Sequence, residues 1–405
     1  MRKKPLIENS VSRPIEPTHT SRRFFLKAGL STLAGLSLVG CTATQIRRSI
    51  NTSHQLFKGN VSQALASQVP GLGIPEVDGL VRNQIASLLD ELVQTWGEKR
   101  IASPKEYVKY TDHYQSRALI DFTTGRIQVE TLINKNPKSA LKKAIVSTLL
   151  TPNDPSQVDL LSAKPIQAGQ TPFLVDLVRD HQNQAIRYAW RAKRFADYLI
   201  KKGYKTRREV LHGQSKVRHY VTFDMRKDYQ GQQQHRYQMD VLRQAKRFAV
   251  EPALVYGIIE TESAFNPFAI SSAPAYGLMQ IVPTTAGRDA YQLIHNRPGT
   301  PSKQTLFTPS HNIEYGVAYL SILSNRYLSG IHHSKSREYC VIAAYNTGAG
   351  NVLKAFSVNK KYAVRKINSM HPQHVYQYLT KHLTHAEARR YVVKVTENKR
   401  KYQGV

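Results

Sequence analysis

Two glutamates stand two positions apart in IIETESAFNP, the segment over residues 258–267. Pro252 can open a helix at its first turn, and the asparagine–proline pair at the end of the segment stops one, because the residue before a proline avoids the α-helical region. On a helix that turns ~100° per residue, Glu262 falls in the centre of a stripe of leucine, valine and isoleucine, whereas Glu260 falls on the opposite face. The spacing predicts that Glu262 points into the core and that Glu260 is a solvated surface carboxylate.

A buried carboxyl group suits one kind of chemistry. Ionising it among apolar side chains is costly, and the negative end of the helix dipole in the last turn adds to that cost. We therefore expect Glu262 to hold its proton near neutral pH, which is the state that a general acid needs in order to protonate a glycosidic oxygen. The alternative is structural: a buried glutamate that is satisfied by an arginine or a backbone amide.

A second carboxylate is not marked by the sequence. Most glycosidases use two, one as acid and one as nucleophile or base, yet residues 263–288 contain no Asp or Glu, and nothing singles out Asp289, Glu314 or Glu338 further on. A lone acid fits a reaction whose nucleophile comes from the substrate. In murein, the C6 hydroxyl of N-acetylmuramic acid can attack its own C1 after Glu262 protonates the leaving oxygen. The carboxylate then takes the hydroxyl proton, no water is consumed, and a 1,6-anhydro sugar forms.

Residues 1–40 have the features of an export signal. SRRFFLK resembles a twin-arginine signal, the apolar run after it is shorter than the ~20 residues of a bilayer span, and the closing LVGC resembles a lipobox. Cys41 is therefore predicted to be acylated, with residues 41–75 as a lipid-anchored tether. Since Thr42 is not the aspartate that favours inner-membrane retention, we expect the outer membrane, facing the periplasm. The alternative is a buried apolar helix with a core cysteine.

The chain is strongly basic, with a formal net charge of +30 over 405 residues. Such an excess favours polyanions or an anionic surface and says little about fold. The export signal and the absence of a recognised motif argue against nucleic acid, which leaves peptidoglycan and lipid headgroups as partners. We expect no metal and no cofactor. Cys340 lies in an apolar helical run and is expected to be a core residue.

The periodicity predicts an α+β protein with two domains. The polar segment 226–238 serves as a boundary, so we expect a mixed N-terminal domain over 76–230 and a mainly helical domain over 231–405. The expected elements of the first domain are an amphipathic helix, a hairpin, two helices and a strand, at 77–97, 117–132, 139–150, 185–203 and 216–225.

Four ordered segments resemble the lytic transglycosylase family, whose catalytic domain has a goose-lysozyme-like fold: ALVYGIIETESAFNP, GLMQIVPTTAG, AYNTGAGNV and EARRYVVKV. KEYVKYTDHYQSRALIDF is similar to the N-terminal domain of the membrane-bound lytic murein transglycosylase C family. The resemblance runs from about 77 to 397. It implies a mixed α/β N-terminal module, a mainly α-helical lysozyme-like catalytic domain, and non-hydrolytic cleavage of peptidoglycan to 1,6-anhydro-N-acetylmuramic acid.

The resemblance also implies roles for individual residues. Glu262 matches the catalytic glutamate, Tyr391 would contact or orient it, and Asn346 would hydrogen-bond an N-acetyl group. Gly277 would allow the backbone to approach the sugar closely. The expected substrate-binding residues are Ser271, Gly277, Met279, Gln280, Tyr345, Asn346 and Tyr391. The chain departs from the common pattern at Pro274, Thr347 and Ala388.

Two other functions stay open at this point. A hydrolase of the same fold, a muramidase, would leave reducing N-acetylmuramic acid ends in place of anhydro ends. A non-catalytic peptidoglycan-binding lipoprotein would use its basic surface to grip acidic stem peptides, with Glu262 as a structural residue.

Overall fold

The computed structural model describes residues 86, 88–160, 162–167, 169, 171–271 and 275–404. The predicted export signal, the tether, Cys41 and Pro274 lie outside these residues. Within the described part of the chain, no helix combines the length and the apolar character that crossing a membrane requires.

The N-terminal half is built on an antiparallel sheet of five strands in the order β1-β2-β3-β5-β4. The predicted hairpin is confirmed: β2 and β3 pair antiparallel, with Ile120 opposite Ile127. The predicted strand is confirmed as β5, but its partner β4 was missed because β4 is a charged and mostly exposed edge strand. The strands are β1 Glu106–Thr111, β2 Ser116–Asp121, β3 Arg126–Thr131, β4 Lys205–Leu211 and β5 Gln214–Asp224.

Helices cover both faces of this sheet. One face carries α2 (Pro137–Leu149) and α3 (Ala189–Gly203), whose apolar residues pack with those of the strands into one core. Helix α1, over residues 88–96, packs Trp96 against Tyr110 near the other face. Both helices predicted between the hairpin and β5 are confirmed, although α3 begins four residues later than expected because Tyr188 is still extended.

The second half consists of helices, and no strand follows β5 among the described residues. Most of the segment expected as a boundary, 226–238, forms the first half of helix α4, since its glutamines and tyrosines are compatible with a helix and three of them are buried on it. The helices are α4 Tyr229–Phe248, α5 Pro252–Ser263, α6 Arg288–His295, α7 Lys303–Phe307, α8 Pro309–Ile322, α9 Ser334–Thr347, α10 Ala349–Phe356, α11 Lys360–Asn368, α12 Pro372–His382 and α13 Ala386–Arg400.

The helical half has its own apolar core, to which Cys340 belongs. The Cys340 thiol is free and fully buried, as expected, and burial raises its pKa to about 12. A cysteine in this environment acts as a small apolar side chain, because the reactive thiolate is strongly disfavoured there.

The loop after α5 joins the two halves. Phe268 is fully buried in the core of the N-terminal half, with its ring centroid 5.1 Å from that of Tyr107 and 5.0 Å from that of Phe173. Two residues earlier, Asn266 donates through Nδ2 to the carbonyl of Pro104 at 3.1 Å. The backbone that follows Glu262 is therefore fixed by the N-terminal half of the protein.

Candidate active site

Helix α5 carries Glu262 in its last turn. Pro252 stands in its first turn, as predicted, and the helix ends at Ser263, where Ala264 and Phe265 both adopt positive φ, 50° and 62°. A left-handed conformation costs a residue with a Cβ atom ~1–2 kcal/mol. The packing of Phe265, which is 1% exposed, offsets this cost and holds the abrupt end of the helix.

The Glu262 carboxyl group is buried, as the helix period predicts. The residue is 3% exposed, and its Oε1 accepts a hydrogen bond of 2.9 Å from the hydroxyl of Tyr391. Tyr391 is itself buried and lies on α13, 129 positions further along the chain. A hydroxyl donor of this kind fixes the orientation of a carboxyl group. A side chain that both donates and accepts a proton during a reaction requires such a fixed orientation.

The expectation that Glu260 is a solvated surface carboxylate is wrong. Its side chain is 14% exposed, its Oε1 lies 2.6 Å from Nζ of Lys401, and its Oε2 accepts a hydrogen bond of 2.9 Å from Tyr402. The helix period showed correctly that Glu260 and Glu262 face apart. It could not show that α13 and the residues after it cover the opposite face, where Gly257 lets the backbone of Lys399 approach.

Residues 277–280 form the centre of the site. Ser263, next to the catalytic candidate, donates to the carbonyl of Leu278 at 2.8 Å. Tyr345, at the end of α9, donates to the carbonyl of Met279 at 2.9 Å. Hydrogen bonds thus join three of the four segments that resemble the family. The fourth segment contains Tyr391, whose hydroxyl bonds to Glu262.

Asn312 is a positioning residue that the sequence analysis missed. It is fully buried on α8, accepts a bond of 2.7 Å from the backbone of Met279, and donates to the carbonyls of Tyr276 and Leu306 at 2.7 and 2.8 Å. Gly277 makes room for it: with φ of +70°, a Cβ there would lie 2.5 Å from Asn312 Nδ2. An asparagine in the first turn of a helix was the only signal in the sequence, and that pattern is common.

Two of the expected substrate-binding residues present buried polar atoms with no hydrogen-bond partner among the described residues, namely Oε1 of Gln280 and Nδ2 of Asn346. Gln280 adopts a φ of 50°, and its Nε2 donates to the carbonyls of Ala269 and Gly277, so that its amide is held in place. Buried polar atoms are rarely left without a partner. A ligand that brings one acceptor and one donor would satisfy this pair.

The remaining expected residues have other surroundings. Met279 and Tyr345 were expected to bind substrate but are fully buried, and the Tyr345 hydroxyl holds the 277–280 segment through the carbonyl of Met279. Ser271 is half-buried, and its Oγ accepts a hydrogen bond of 3.3 Å from the backbone of Ala275. The departures at Thr347 and Ala388 are both buried as well.

The carboxylates that could serve as a second catalytic group are bound elsewhere. Asp289 accepts a hydrogen bond of 2.9 Å from Tyr327, Glu314 pairs with Arg247, and Glu338 lies 2.9 Å from Nζ of Lys399. In the part of the chain that the structure describes, no group of three or more His, Cys, Asp or Glu side chains could hold a metal ion.

Comparisons with known proteins agree with this architecture. The helical half has the fold of a transglycosylase SLT domain, whose family model matches residues 240–368. The model of the membrane-bound lytic murein transglycosylase C N-terminal domain matches residues 76–236. A membrane-bound lytic murein transglycosylase C from Yersinia pestis (strain Pestoides F) is 45% identical over 311 residues, which cover 76% of this chain and 86% of that one. The same values hold for the protein of that name from Yersinia pseudotuberculosis serotype O:1b.

The chain therefore belongs to the membrane-bound lytic murein transglycosylase C family. Solved structures of larger proteins are also similar in part. An inactive mutant of the lytic transglycosylase Slt from Pseudomonas aeruginosa is 26% identical with a TM-score of 0.33, and the match covers 42% of this chain and 24% of that one. The 70 kDa soluble lytic transglycosylase from Escherichia coli is 24% identical with a TM-score of 0.32, at the same coverage.

Proposed function

We propose that the protein is a peptidoglycan lytic transglycosylase that cleaves the β-1,4 bond between N-acetylmuramic acid and N-acetylglucosamine and leaves 1,6-anhydro-N-acetylmuramic acid. The observation that carries this proposal is the buried Glu262 carboxyl group, held by Tyr391 at the end of α5. Family membership supports the substrate class. The engagement of Asp289, Glu314 and Glu338 with other partners supports a mechanism with one acid.

In this mechanism Glu262 acts twice. Its carboxyl group donates a proton to the glycosidic oxygen, and the bond between that oxygen and C1 of N-acetylmuramic acid breaks. The C6 hydroxyl oxygen of the same sugar then bonds to C1, and the Glu262 carboxylate takes the hydroxyl proton. The acid is regenerated and no water enters, so the products together have the mass of the substrate.

The other residues bind and orient the glycan. Nδ2 of Asn346 donates to the carbonyl of an N-acetyl group, and Oε1 of Gln280 accepts from a sugar hydroxyl or amide, which satisfies both buried atoms. Ser271 lies near the C6 end of the substrate. The close approach expected of Gly277 serves the protein's own packing instead, because the space beside it is taken by Asn312 and the carbonyl of Leu306. Tyr345 supports these contacts by donating a hydrogen bond to the carbonyl of Met279.

We also propose that acylated Cys41 anchors the protein to the outer membrane, facing the periplasm. Residues 41–75 form the tether, 76–230 an N-terminal domain and 231–405 the catalytic domain. The names of the curated relatives support a membrane-bound protein. Labelling of growing cells with a radioactive fatty acid should mark the protein and not its Cys41→Ser variant. Labelling of that variant at the same level would exclude this anchor.

Digestion of purified peptidoglycan tests the proposed reaction. Mass spectrometry of the soluble muropeptides should find anhydro ends, whereas reducing ends in their place would identify a muramidase. Glu262→Gln should lose about 10²–10⁴-fold in rate, the usual contribution of a general acid–base group. The matched controls are Asp289→Asn and Glu314→Gln, which should stay within about twofold of the parent. Full activity of the Glu262→Gln variant would refute the lone-acid mechanism. Loss of activity in either control variant would refute it as well.

A further inference from the structure

Trp190 lies exposed on helix α3 of the N-terminal half. It is 55% exposed, whereas Trp96, the second tryptophan of the chain, is 1% exposed. Helix α3 buries four residues on one face: Ala192, Phe195, Ala196 and Leu199. At ~100° per residue, Trp190 falls on the face opposite to them. Its indole ring therefore adds nothing to the core below α3, and a patch of large apolar side chains left in water indicates a surface for a partner.

Two arginines hold the indole ring in place. The guanidinium carbons of Arg191 and Arg194 lie 4.5 and 5.3 Å from the centroid of the Trp190 ring, within the range of cation–π attraction. Both guanidinium groups also pair with the fully buried side chain of Asp180, at 2.8 and 3.2 Å. Backbone amides of the 182–184 turn bind the same carboxylate. The ring is thus fixed before a partner arrives, which lowers the entropy cost of binding.

Further rings extend this surface. His181 follows Asp180, and its exposed ring stacks on that of Tyr198 with the centroids 4.3 Å apart and the planes within 8°. Tyr198 is 38% exposed, and Tyr188, directly before α3, is 63% exposed. We call Trp190, His181, Tyr198 and Tyr188 the aromatic platform. Aromatic rings offer flat apolar faces, and the apolar face of a sugar ring packs on such a surface.

The charge around the aromatic platform is positive. Residues 185–203 contain six Lys or Arg and a single Asp, and Asp197 is paired with Lys142 at 2.7 Å. Four of the cations are exposed: Arg187, Lys193, Lys201 and Lys202. The surface therefore suits a polymer that offers both sugar rings and carboxylates. Peptidoglycan has sugar rings in its strands and carboxylates in its stem peptides.

Aromatic and basic side chains also suit the surface of a membrane, and the position of α3 in the fold decides between the two partners. Leu119 of the sheet packs with α1, whereas Ala118 and Ile120 pack with α3. Since successive side chains of a strand point to opposite faces, α1 and α3 lie on opposite faces of the sheet. The proposed tether from Cys41 precedes α1, so α3 lies on the side away from the anchored end.

We propose that the aromatic platform binds a glycan strand of peptidoglycan, with Trp190 stacked on a sugar ring and the cations of α3 paired with carboxylates of stem peptides. The inference rests on the proposed function for the identity of the polymer. The aromatic platform belongs to the half with the sheet, and Glu262 to helix α5 of the other half. Two contacts with one polymer hold an enzyme on it more firmly than either contact alone, because the second contact forms within the complex.

Trp190 reports its own contact, since Trp96 is buried and these are the two tryptophans of the chain. The full chain is anchored in vesicles of neutral phosphatidylcholine, with Glu262→Gln so that no strand is cut. Soluble glycan strands that carry stem peptides should protect the emission of Trp190 from quenching by acrylamide. Anionic phosphatidylglycerol in the vesicles, without glycan, should leave the quenching unchanged. Free stem peptides should give no protection either, because they lack the sugar.

Retention on insoluble peptidoglycan measures the affinity. In the Glu262→Gln background, Trp190→Ala should raise the protein concentration at half-saturation about tenfold, the scale of one large aromatic contact. Trp190→Phe keeps a ring and should stay within about threefold of the background. The matched control is Tyr362→Ala, which removes another exposed ring that an arginine covers, with Arg365 at 4.2 Å. That variant should change retention less than about twofold, and melting temperatures report the folding of each variant.

The outcomes are distinct. Equal quenching with and without glycan strands, or equal retention of Trp190→Ala and Tyr362→Ala, would refute the glycan contact. Protection of Trp190 by the phosphatidylglycerol vesicles alone would refute it in favour of a membrane contact, and protection by free stem peptides in favour of a peptide site. The anhydro ends released by the parent test the proposed function separately, so either proposal can fail while the other stands.

Discussion

The hydroxyl of Tyr391 offers the most direct test of how the site works. Tyr391→Phe removes one oxygen atom, the donor that lies 2.9 Å from Oε1 of the buried Glu262, and leaves the ring in its apolar surroundings on α13. The carboxyl group then loses the partner that fixes its orientation. Since Tyr391 is proposed to act through Glu262, the loss should appear mainly in kcat, with KM changed by less than about threefold.

The magnitude follows from the kind of hydrogen bond. A bond to a group that carries charge in one step of the cycle is worth ~1.5–3 kcal/mol. Because ~1.4 kcal/mol corresponds to tenfold in rate, kcat should fall about 10- to 150-fold. Most of this range lies below the loss of about 10²–10⁴-fold expected for Glu262→Gln, since the phenylalanine variant keeps a carboxyl group that can still exchange the proton.

The assay is the initial rate of release of anhydro-muropeptides from purified peptidoglycan, measured by chromatography with mass detection. Tyr378→Phe is the matched control, because the Tyr378 hydroxyl in the same half of the protein donates to the carbonyl of Ala355 at 3.1 Å instead. That variant should stay within about twofold of the parent. A rate for Tyr391→Phe that equals the control would show that the hydroxyl does not support the acid.

Two further predictions concern stability. Gly277→Ala should cost ~2–4 kcal/mol in urea denaturation, because its φ is +70° and a Cβ would lie 2.5 Å from the carbonyl oxygen of Leu306. Gly231→Ala on α4, where a Cβ meets nothing within 4 Å, should instead gain up to ~1 kcal/mol, and equal effects would contradict this reasoning. Burial disfavours the ionised form of Asp180, but hydrogen bonds from backbone amides and from Arg191 and a second arginine outweigh it and lower the pKa to about 2 from 3.8. The stability from this lowered pKa is present above pH 3.8 and is lost as pH falls through about 2. The Asp180→Asn substitution should therefore lower the free energy of unfolding by about 2 kcal/mol at pH 7 and by almost nothing near pH 2. An equal cost at both pH values would exclude this linkage.

Local features of the chain could be predicted because their causes are local. The hairpin at 117–132 followed from alternation and a turn, and the inward direction of Glu262 followed from the helix period, which depends on near neighbours in sequence. The prediction for Glu260 failed because the helix period contains only near neighbours in sequence, whereas the group that covers Glu260 is distant in sequence. Its partner Tyr402 lies 142 positions away, and no periodicity within α5 contains that contact.

The sequence by itself determined the inward-facing acid on α5, the absence of Asp and Glu from 263–288, and the segments that resemble the family. Only the tertiary structure decided what surrounds that acid. It brought Tyr391 to Glu262, placed Phe268 in the core of the other half, and set Asn312 behind the Met279 backbone. These contacts join distant parts of the chain, and they form only when the packing of whole helices overrides the preference of each segment taken alone.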